Sequence, residues 1–213
     1  MNNLSVLIGS CDSYSPLWEN FDILFQRYWN PSTTNILVSE TLSFDNQHYK
    51  TITPGLKPWG ERMLAGLDEI KTDYVFFILD DYYLTESFTT ELIQEHIDVL
   101  ESHKADKIMM DIDYGEPTYH LEHIESDLYK FKNISNYLNS VQPSIWKTSY
   151  LRQVLKPSYN PWQFELEGNT FTQSINPLIL LKKREEHMYF NFVRIGGRIS
   201  EGWEELYQKE NLK

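Results

Sequence analysis

Cysteine is nearly missing from this 213-residue chain. Cys11 stands alone, which excludes an intrachain disulfide framework. Basic residues are scarce too: Lys and Arg number 19 against 31 Asp and Glu, for a formal charge of −12. A general nucleic-acid binder needs the opposite footprint, so nucleic acid is not an expected partner. Lys182-Lys183-Arg184 is the place for a local basic patch. No apolar run approaches the roughly 18 to 20 residues that cross a bilayer. Met1-Asn2-Asn3-Leu4 is not a charged segment leading into a long apolar one, so no secretory signal is expected. There is no internal repeat, low-complexity tract or interdomain linker. The expectation is one domain located in the cytoplasm, with peripheral contact at the inner face of a membrane still compatible. The sequence sets no oligomeric state.

Aromatic residues are abundant at 15%, with 14 Tyr, 11 Phe and 6 Trp. They suit stacking on sugar rings or bases, and equally core packing. The apolar pattern alternates between strands and helices. Strands are expected at Leu4–Gly9, Asn35–Val38, Thr51–Ile52, Tyr74–Leu79, Ile108–Ile112 and Ser144–Trp146, and a late one at His187–Val193. Helices are expected from Pro16 to Tyr28, from Pro58 to Ile70, from about Thr89 to Ser102, over Thr148–Leu155 and from Pro161 onward. Between Tyr114 and Val141 the pattern is irregular, as in an antiparallel edge or an insertion. This alternation predicts an α/β domain with a mostly parallel central sheet flanked by helices and a smaller antiparallel portion.

The most informative stretch is Tyr74-Val75-Phe76-Phe77-Ile78-Leu79-Asp80-Asp81-Tyr82-Tyr83. A continuous apolar run bounded by polar residues reads as a strand buried on both faces. Open α/β sheets bind ligands at the carboxyl ends of their strands, where Asp80 and Asp81 fall. Adjacent carboxylates repel, so either a metal ion or basic side chains would offset them. Alternatively, one Asp caps the next helix and the other faces water.

The order of pieces resembles a GT-A-type glycosyltransferase of bacterial surface-polysaccharide assembly. The resemblance runs from about Ser5 to Trp203. It rests on Val6-Leu7-Ile8-Gly9-Ser10-Cys11-Asp12, Pro58-Trp59-Gly60-Glu61-Arg62, Ile78-Leu79-Asp80-Asp81-Tyr82-Tyr83, Gln142-Pro143-Ser144-Ile145-Trp146 and Asn160-Pro161-Trp162-Gln163-Phe164-Glu165. It implies a single domain over 1–213, with a nucleotide-sugar-binding half at 1–113 and an acceptor-binding half at 114–213. The donor would be a nucleotide sugar, a UDP-sugar foremost, and the acceptor a saccharide or a lipid-linked one.

By the same resemblance, Ser10, Cys11 and Asp12 take the place of the base- and ribose-binding loop. Without it, Asp12 reads as a local backbone acceptor in a turn. Arg62 would meet the diphosphate, or merely pair with Glu61 or Glu69. Asp81 would bind Mn²⁺ or Mg²⁺, and Asp80 would contact ribose or sugar. Tyr82 follows the pair, a departure from strict Asp-x-Asp. Related enzymes tolerate an Asp-Asp-polar form in which the second Asp alone touches the ion.

An inverting transfer needs a carboxylate base. Glu165 and Glu167 are the candidates, Glu165 being the better match, with Trp162 and Phe164 as desolvating or stacking neighbours. The bland reading of Glu165 is a solvated first-turn acid. Arg198, after Gly196-Gly197, would reach phosphate from a flap or belong to a tight turn. Asp111 and Asp113 read as a solvated loop. His120 and His123 lack partners for zinc, and a metal role for His187 is disfavoured.

A non-catalytic carbohydrate- or nucleotide-binding subunit is the first competing function. A nucleotidyltransferase is the second. Such enzymes carry a Gly-rich basic loop after the first strand, and Gly9-Ser10-Cys11-Asp12-Ser13 holds no Lys or Arg. A glycoside hydrolase would need two carboxylates facing each other across the substrate, whereas Asp80 and Asp81 are adjacent.

Overall fold

The computed structural model describes residues 3–112, 119–184, 187–190, 194–195 and 198–213, without the side chains of 194, 195, 198 and 199. Asp113, Gly196 and Gly197 lie outside the described residues.

β1 (Leu4–Gly9), β2 (Thr34–Val38), β3 (Lys50–Ile52) and β4 (Tyr74–Leu79) pair in parallel in the order β3-β2-β1-β4. The sheet continues through β9 (Ser144–Lys147), β6 (Lys107–Met109), β10 (Ile179–Lys182), β8 (Leu128–Phe131) and β7 (Leu121–Glu125). Only β9 and β8 run against the other strands of this sheet. β5 (Tyr83–Leu84) and β11 (Tyr189–Phe190) form a separate antiparallel pair. A mostly parallel α/β sheet with a smaller antiparallel part is therefore the architecture. Strands from both halves of the chain share it.

The helices are α1 (Trp18–Tyr28), α2 (Trp59–Glu69), α3 (Thr90–His103), α4 (Thr148–Val154), α5 (Pro161–Ile175) and α6 (Trp203–Glu210). Several strands depart from the sequence expectation. β5 was not expected, and of the expected His187–Val193 the strand β11 covers Tyr189–Phe190, with 191–193 outside the described residues. Ile179–Lys182 forms the unforeseen β10, since a short apolar run carries no period to tell strand from helix. β6 stops at Met109, so Asp111 and Ile112 lie beyond it. α6 was also unforeseen, its apolar positions being few. Ahead of α1 the chain makes a 3-10 helix at Asp12–Leu17.

Both faces of β4 are covered, as its continuous apolar run requires. Successive side chains of a strand point to opposite faces. Phe76 meets Trp29 and Phe88 on one face. Phe77 meets Trp59 of α2 on the other. α2, α4 and α5 contact one another, and Phe164 of α5 packs on Trp59. One close approach locks this layer. A Cβ on Gly60 would lie 2.0 Å from the Lys156 carbonyl oxygen, so only glycine lets α2 start there. The first-turn amides of α2 lack a side-chain cap; Gly60 N–H donates to Tyr159 O (2.8 Å) and Glu61 N–H to Pro157 O (3.0 Å). α5 begins with a capping box, Asn160 and Gln163 each accepting from the other's amide, and Pro161 fills the first helical position. Arg62 and Glu165 are thereby fixed on neighbouring helices above the same strand ends.

Candidate functional site

The parallel register sets the floor of the site. Gly9 pairs with Val38 on one side and Leu79 on the other, so residues just past these strands are neighbours. After Leu79 the chain turns, with Tyr82 N–H donating to Leu79 O (3.1 Å), and Asp80 and Asp81 occupy the turn. A cavity of about 720 Å³ opens over these ends. That volume lies within the range of small-molecule sites. Its walls include Ser10, Cys11, Glu40, Lys57, Trp59, Arg62, Asp80, Asp81, Val141, Asn160, Trp162 and Glu165.

Asp80 is buried and held from one side. The Ser10 hydroxyl contacts Asp80 Oδ2, and Trp18 Nε1 donates both to that oxygen (3.0 Å) and to Ser10 Oγ (2.8 Å). Burial and then the Asp81 charge raise its pKa well above the carboxylate range, against the Ser10 and Trp18 hydrogen bonds. Burial pushes Asp81 up to about 7. Asp81 Oδ1 is buried without a hydrogen-bond partner. An orphaned carboxylate oxygen in a cavity wall is costly unless a ligand completes it. A hard divalent cation fits this donor, with the second carboxylate beside it. Among the described residues, no group of three or more His, Cys, Asp or Glu could hold a metal ion alone. Mg²⁺ is characteristically bound by one or two carboxylates together with substrate phosphates and water, so two carboxylates are in keeping with a shared site.

Arg62 is buried. Its Nη1 donates to Ser10 O (2.7 Å), Nε to Lys57 O (3.2 Å), and Nη2 lies 3.5 Å from Glu40 Oε1. Glu40, not among the residues singled out from the sequence, lines the cavity two residues beyond β2. Its signal was that position, a carboxylate just past a parallel strand end.

Glu165 lines the cavity from α5, and its Oε1 accepts from Val141 N–H (2.8 Å). Burial raises its pKa, against the Val141 amide and the Lys107 charge. Glu167 is exposed and does not line the cavity. On a helix two residues are about 200° apart, so the two acids cannot share a face. Phe164, expected beside the sugar, is fully buried against Trp59 and Trp146. Trp162 is 68% exposed at the cavity rim.

Asp12 stands apart. Its Oδ1 accepts from the amides of Glu40, Thr41 and Leu42, and its Oδ2 from the Thr41 hydroxyl. Desolvation works to raise its pKa, but these bonds outweigh it and hold the carboxyl at about 2. Asp12 N–H in turn donates to Glu40 Oε2 (2.8 Å). Asp12 thus props the turn that presents Glu40 and is a local backbone acceptor. Ser10 orients Asp80 and offers its carbonyl to Arg62. Cys11 is half-buried, and burial raises its thiol pKa, so it forms a neutral part of the wall.

Arg198 opens a two-residue strand paired with Arg194–Ile195, and its side chain is outside the described residues. Asp111 is buried rather than solvated: its Oδ1 accepts from Ile112 N–H, and its Oδ2 lies 2.6 Å from His187 Nδ1. Neither residue lines the cavity. His123 sits in β7 at the sheet edge, and His120 immediately precedes it.

No family model matches this chain, and no curated protein matches it in sequence. Solved structures do match in fold. S. aureus TarS 1–349 in complex with UDP-GlcNAc is 14% identical with a TM-score of 0.57, covering 98% of this chain and 65% of that one. UDP-glucose pyrophosphorylase complexed with UDP-glucose is 11% identical with a TM-score of 0.59, covering 98% of this chain and all of that one (100%). The bifunctional IspDF from Campylobacter jejuni is 16% identical with a TM-score of 0.53, covering 88% and 51%. The chain spans less than two thirds of TarS 1–349 and 37% of a longer TarS chain. At these identities the likeness is one of fold. Among the described residues, no helix is long and apolar enough to cross a membrane.

Proposed function

We propose that this protein is a metal-dependent, inverting glycosyltransferase of the GT-A type. It moves a sugar from a nucleoside-diphosphate donor to a saccharide or lipid-linked acceptor, from the cytoplasm or the inner face of a membrane. The observation that carries the proposal is the orphaned, buried Asp81 carboxylate in the same cavity as a second, separately held carboxylate, Glu165. Among the described residues, the cavity is lined by four acidic side chains (Glu40, Asp80, Asp81, Glu165) and two basic ones (Lys57, Arg62). A diphosphate entering such a site needs a positive charge in addition to the side chains. Asp81, with Asp80 beside it, would hold Mn²⁺ or Mg²⁺, which as a Lewis acid stabilises the leaving diphosphate.

The chain's own residues supply the rest. Asp80, immobilised by Ser10 and Trp18, would accept from a ribose or sugar hydroxyl. Glu40 would accept a base N–H, as uracil offers. Glu165 would take the proton of the acceptor hydroxyl as its oxygen attacks the anomeric carbon, while the bond to the diphosphate breaks. The Trp162 indole at the rim gives the acceptor ring a flat apolar surface.

The family resemblance puts Arg62 at the diphosphate, with pairing to Glu61 or Glu69 as its alternative. Its contacts with Ser10 and Glu40 favour the base end instead. Arg62→Ala is therefore expected to weaken uridine and UDP binding by similar factors, about tenfold or more each for a lost charged hydrogen bond. Calorimetry with both ligands measures this. A loss confined to UDP would return Arg62 to the phosphate.

A nucleotidyltransferase is the second reading, favoured by the full-length match to UDP-glucose pyrophosphorylase. A sugar-nucleotide panel in thermal shift, with and without Mn²⁺, followed by product analysis, separates the two. A transferase should be stabilised by a UDP-sugar with Mn²⁺, and should release UDP. Pyrophosphate-dependent turnover of the UDP-sugar would establish the second reading and sink the first.

A further inference from the structure

Lys107 is a lysine with no exposure to solvent, and nothing in the proposed reaction uses it. It comes from β6, an interior strand of the sheet, where a buried cation is costly unless its donors are matched. Its Nζ donates to Ser140 O (2.9 Å) and Leu138 O (3.2 Å) and lies 4.0 Å from the centre of the Trp146 ring. Both carbonyls belong to loop 138–142, every residue of which is buried.

The Ser140 carbonyl and the Val141 N–H are two ends of one peptide group. In a trans peptide they point in opposite directions. The carbonyl end accepts from Lys107, and the N–H end donates to Glu165 Oε1. A single peptide plane therefore stands between the buried ammonium and the cavity carboxylate. Hydrogen bonds in such a chain polarise one another, so the cation strengthens the N–H that Glu165 receives. Other contacts brace the loop. Asn139 Nδ2 donates to Phe164 O (3.2 Å), and Leu138 N–H donates to Asn169 Oδ1 (2.9 Å), both on α5.

We propose that Lys107 is a positioning residue for Glu165, acting through the Ser140–Val141 peptide. It turns that N–H to the carboxylate and places a positive charge behind it. The inference rests on the reading of Glu165 as the base but concerns how that side chain is held. Burial drives the Lys107 pKa well below the usual lysine value, and the Glu165 carboxylate opposes that shift, so the ammonium form depends on this pair. From the other elements, Glu165 meets the Ser140–Val141 loop segment, Lys107 of β6 and the Tyr82 phenol after β4.

The test is the titration of the Glu165 carboxyl, followed by NMR of protein labelled at glutamate side-chain carbons and assigned with Glu165→Gln. Lys107→Gln keeps an N–H donor for the loop carbonyls and removes the charge. Its Glu165 midpoint is expected to rise by about one unit, the lower end of the effect of a nearby opposite charge. Lys107→Met should raise it at least as far, and Lys107→Arg should restore it. UDP affinity, read alongside, should not change. A midpoint in Lys107→Gln within about 0.3 units of wild type, well below that scale, would reduce Lys107 to a loop strut and overturn the proposal. The readout does not depend on turnover. Failure of Glu165 as a base would show instead as full activity in Glu165→Gln with the Lys107 shift intact.

Discussion

Glu165→Gln is expected to lower sugar transfer by about 100-fold or more, the usual scale for losing a general base. Gln keeps the shape of Glu, and its amide oxygen can still accept from Val141 N–H. What it cannot do is take a proton from the acceptor. UDP-sugar and Mn²⁺ affinities should therefore survive, so that the loss falls on kcat and leaves the donor Kd alone. The pH dependence gives a second mark. Burial raises the Glu165 pKa, so wild-type turnover should climb with pH until the carboxyl is ionised, and the variant should lose that limb. Glu167→Gln is the control, because Glu167 is exposed on α5 outside the cavity. Its transfer rate should match wild type. A large loss at Glu167 alone would move the base by two residues, and normal transfer in both variants would remove this helix from the chemistry.

Asp81→Asn is expected to abolish Mn²⁺-dependent donor binding while making the metal-free protein more stable above neutral pH. The first effect follows from removing a hard anionic ligand. The second follows from linkage. Burial raises the Asp81 pKa from 3.8 to about 7. Between those values the folded state holds the proton more tightly than the unfolded state does. Stability from this group is fully present below pH 3.8 and is lost as pH rises through about 7. Asn carries no charge to bury, so the variant should escape that loss. A gain on the order of 1–2 kcal/mol would raise Tm by roughly 5 °C at pH 8. Metal and UDP together should stabilise wild type by mass action and leave the variant unmoved. Thermal melts from pH 4 to 8, with and without Mn²⁺ and UDP, measure both effects. Metal-dependent donor affinity equal to wild type in Asp81→Asn would end the assignment of Asp81, whatever happens to Tm.

Local pattern determined much of this protein. The apolar run of β4 announces a strand buried on both faces and that of β1 a short apolar strand, and both form where expected. Asp80 and Asp81 follow the central strand, so their place at its carboxyl end was legible before any fold was known. Asn160-Pro161 marks the start of α5, and with it the segment that carries Glu165. The choice between Glu165 and Glu167 was not legible. It turns on whether the helix has already begun, since a two-residue step reverses the face of a helix.

Tertiary pairing decided the remainder. β9 inserts antiparallel between β4 and β6, an arrangement no apolar period encodes. Glu40 reaches the cavity because β2 lies beside β1 in register, and Asp12 is drawn to the turn after β2 by that same neighbourhood. Lys107 and Glu165 meet opposite ends of one peptide through contacts spanning 33 and 24 positions of sequence. Periodicity and capping report interactions between residues a few positions apart, because those are what a strand or helix repeats. Sheet order, register and the burial of a charge depend on which distant segments come together, and only the assembled fold makes that choice.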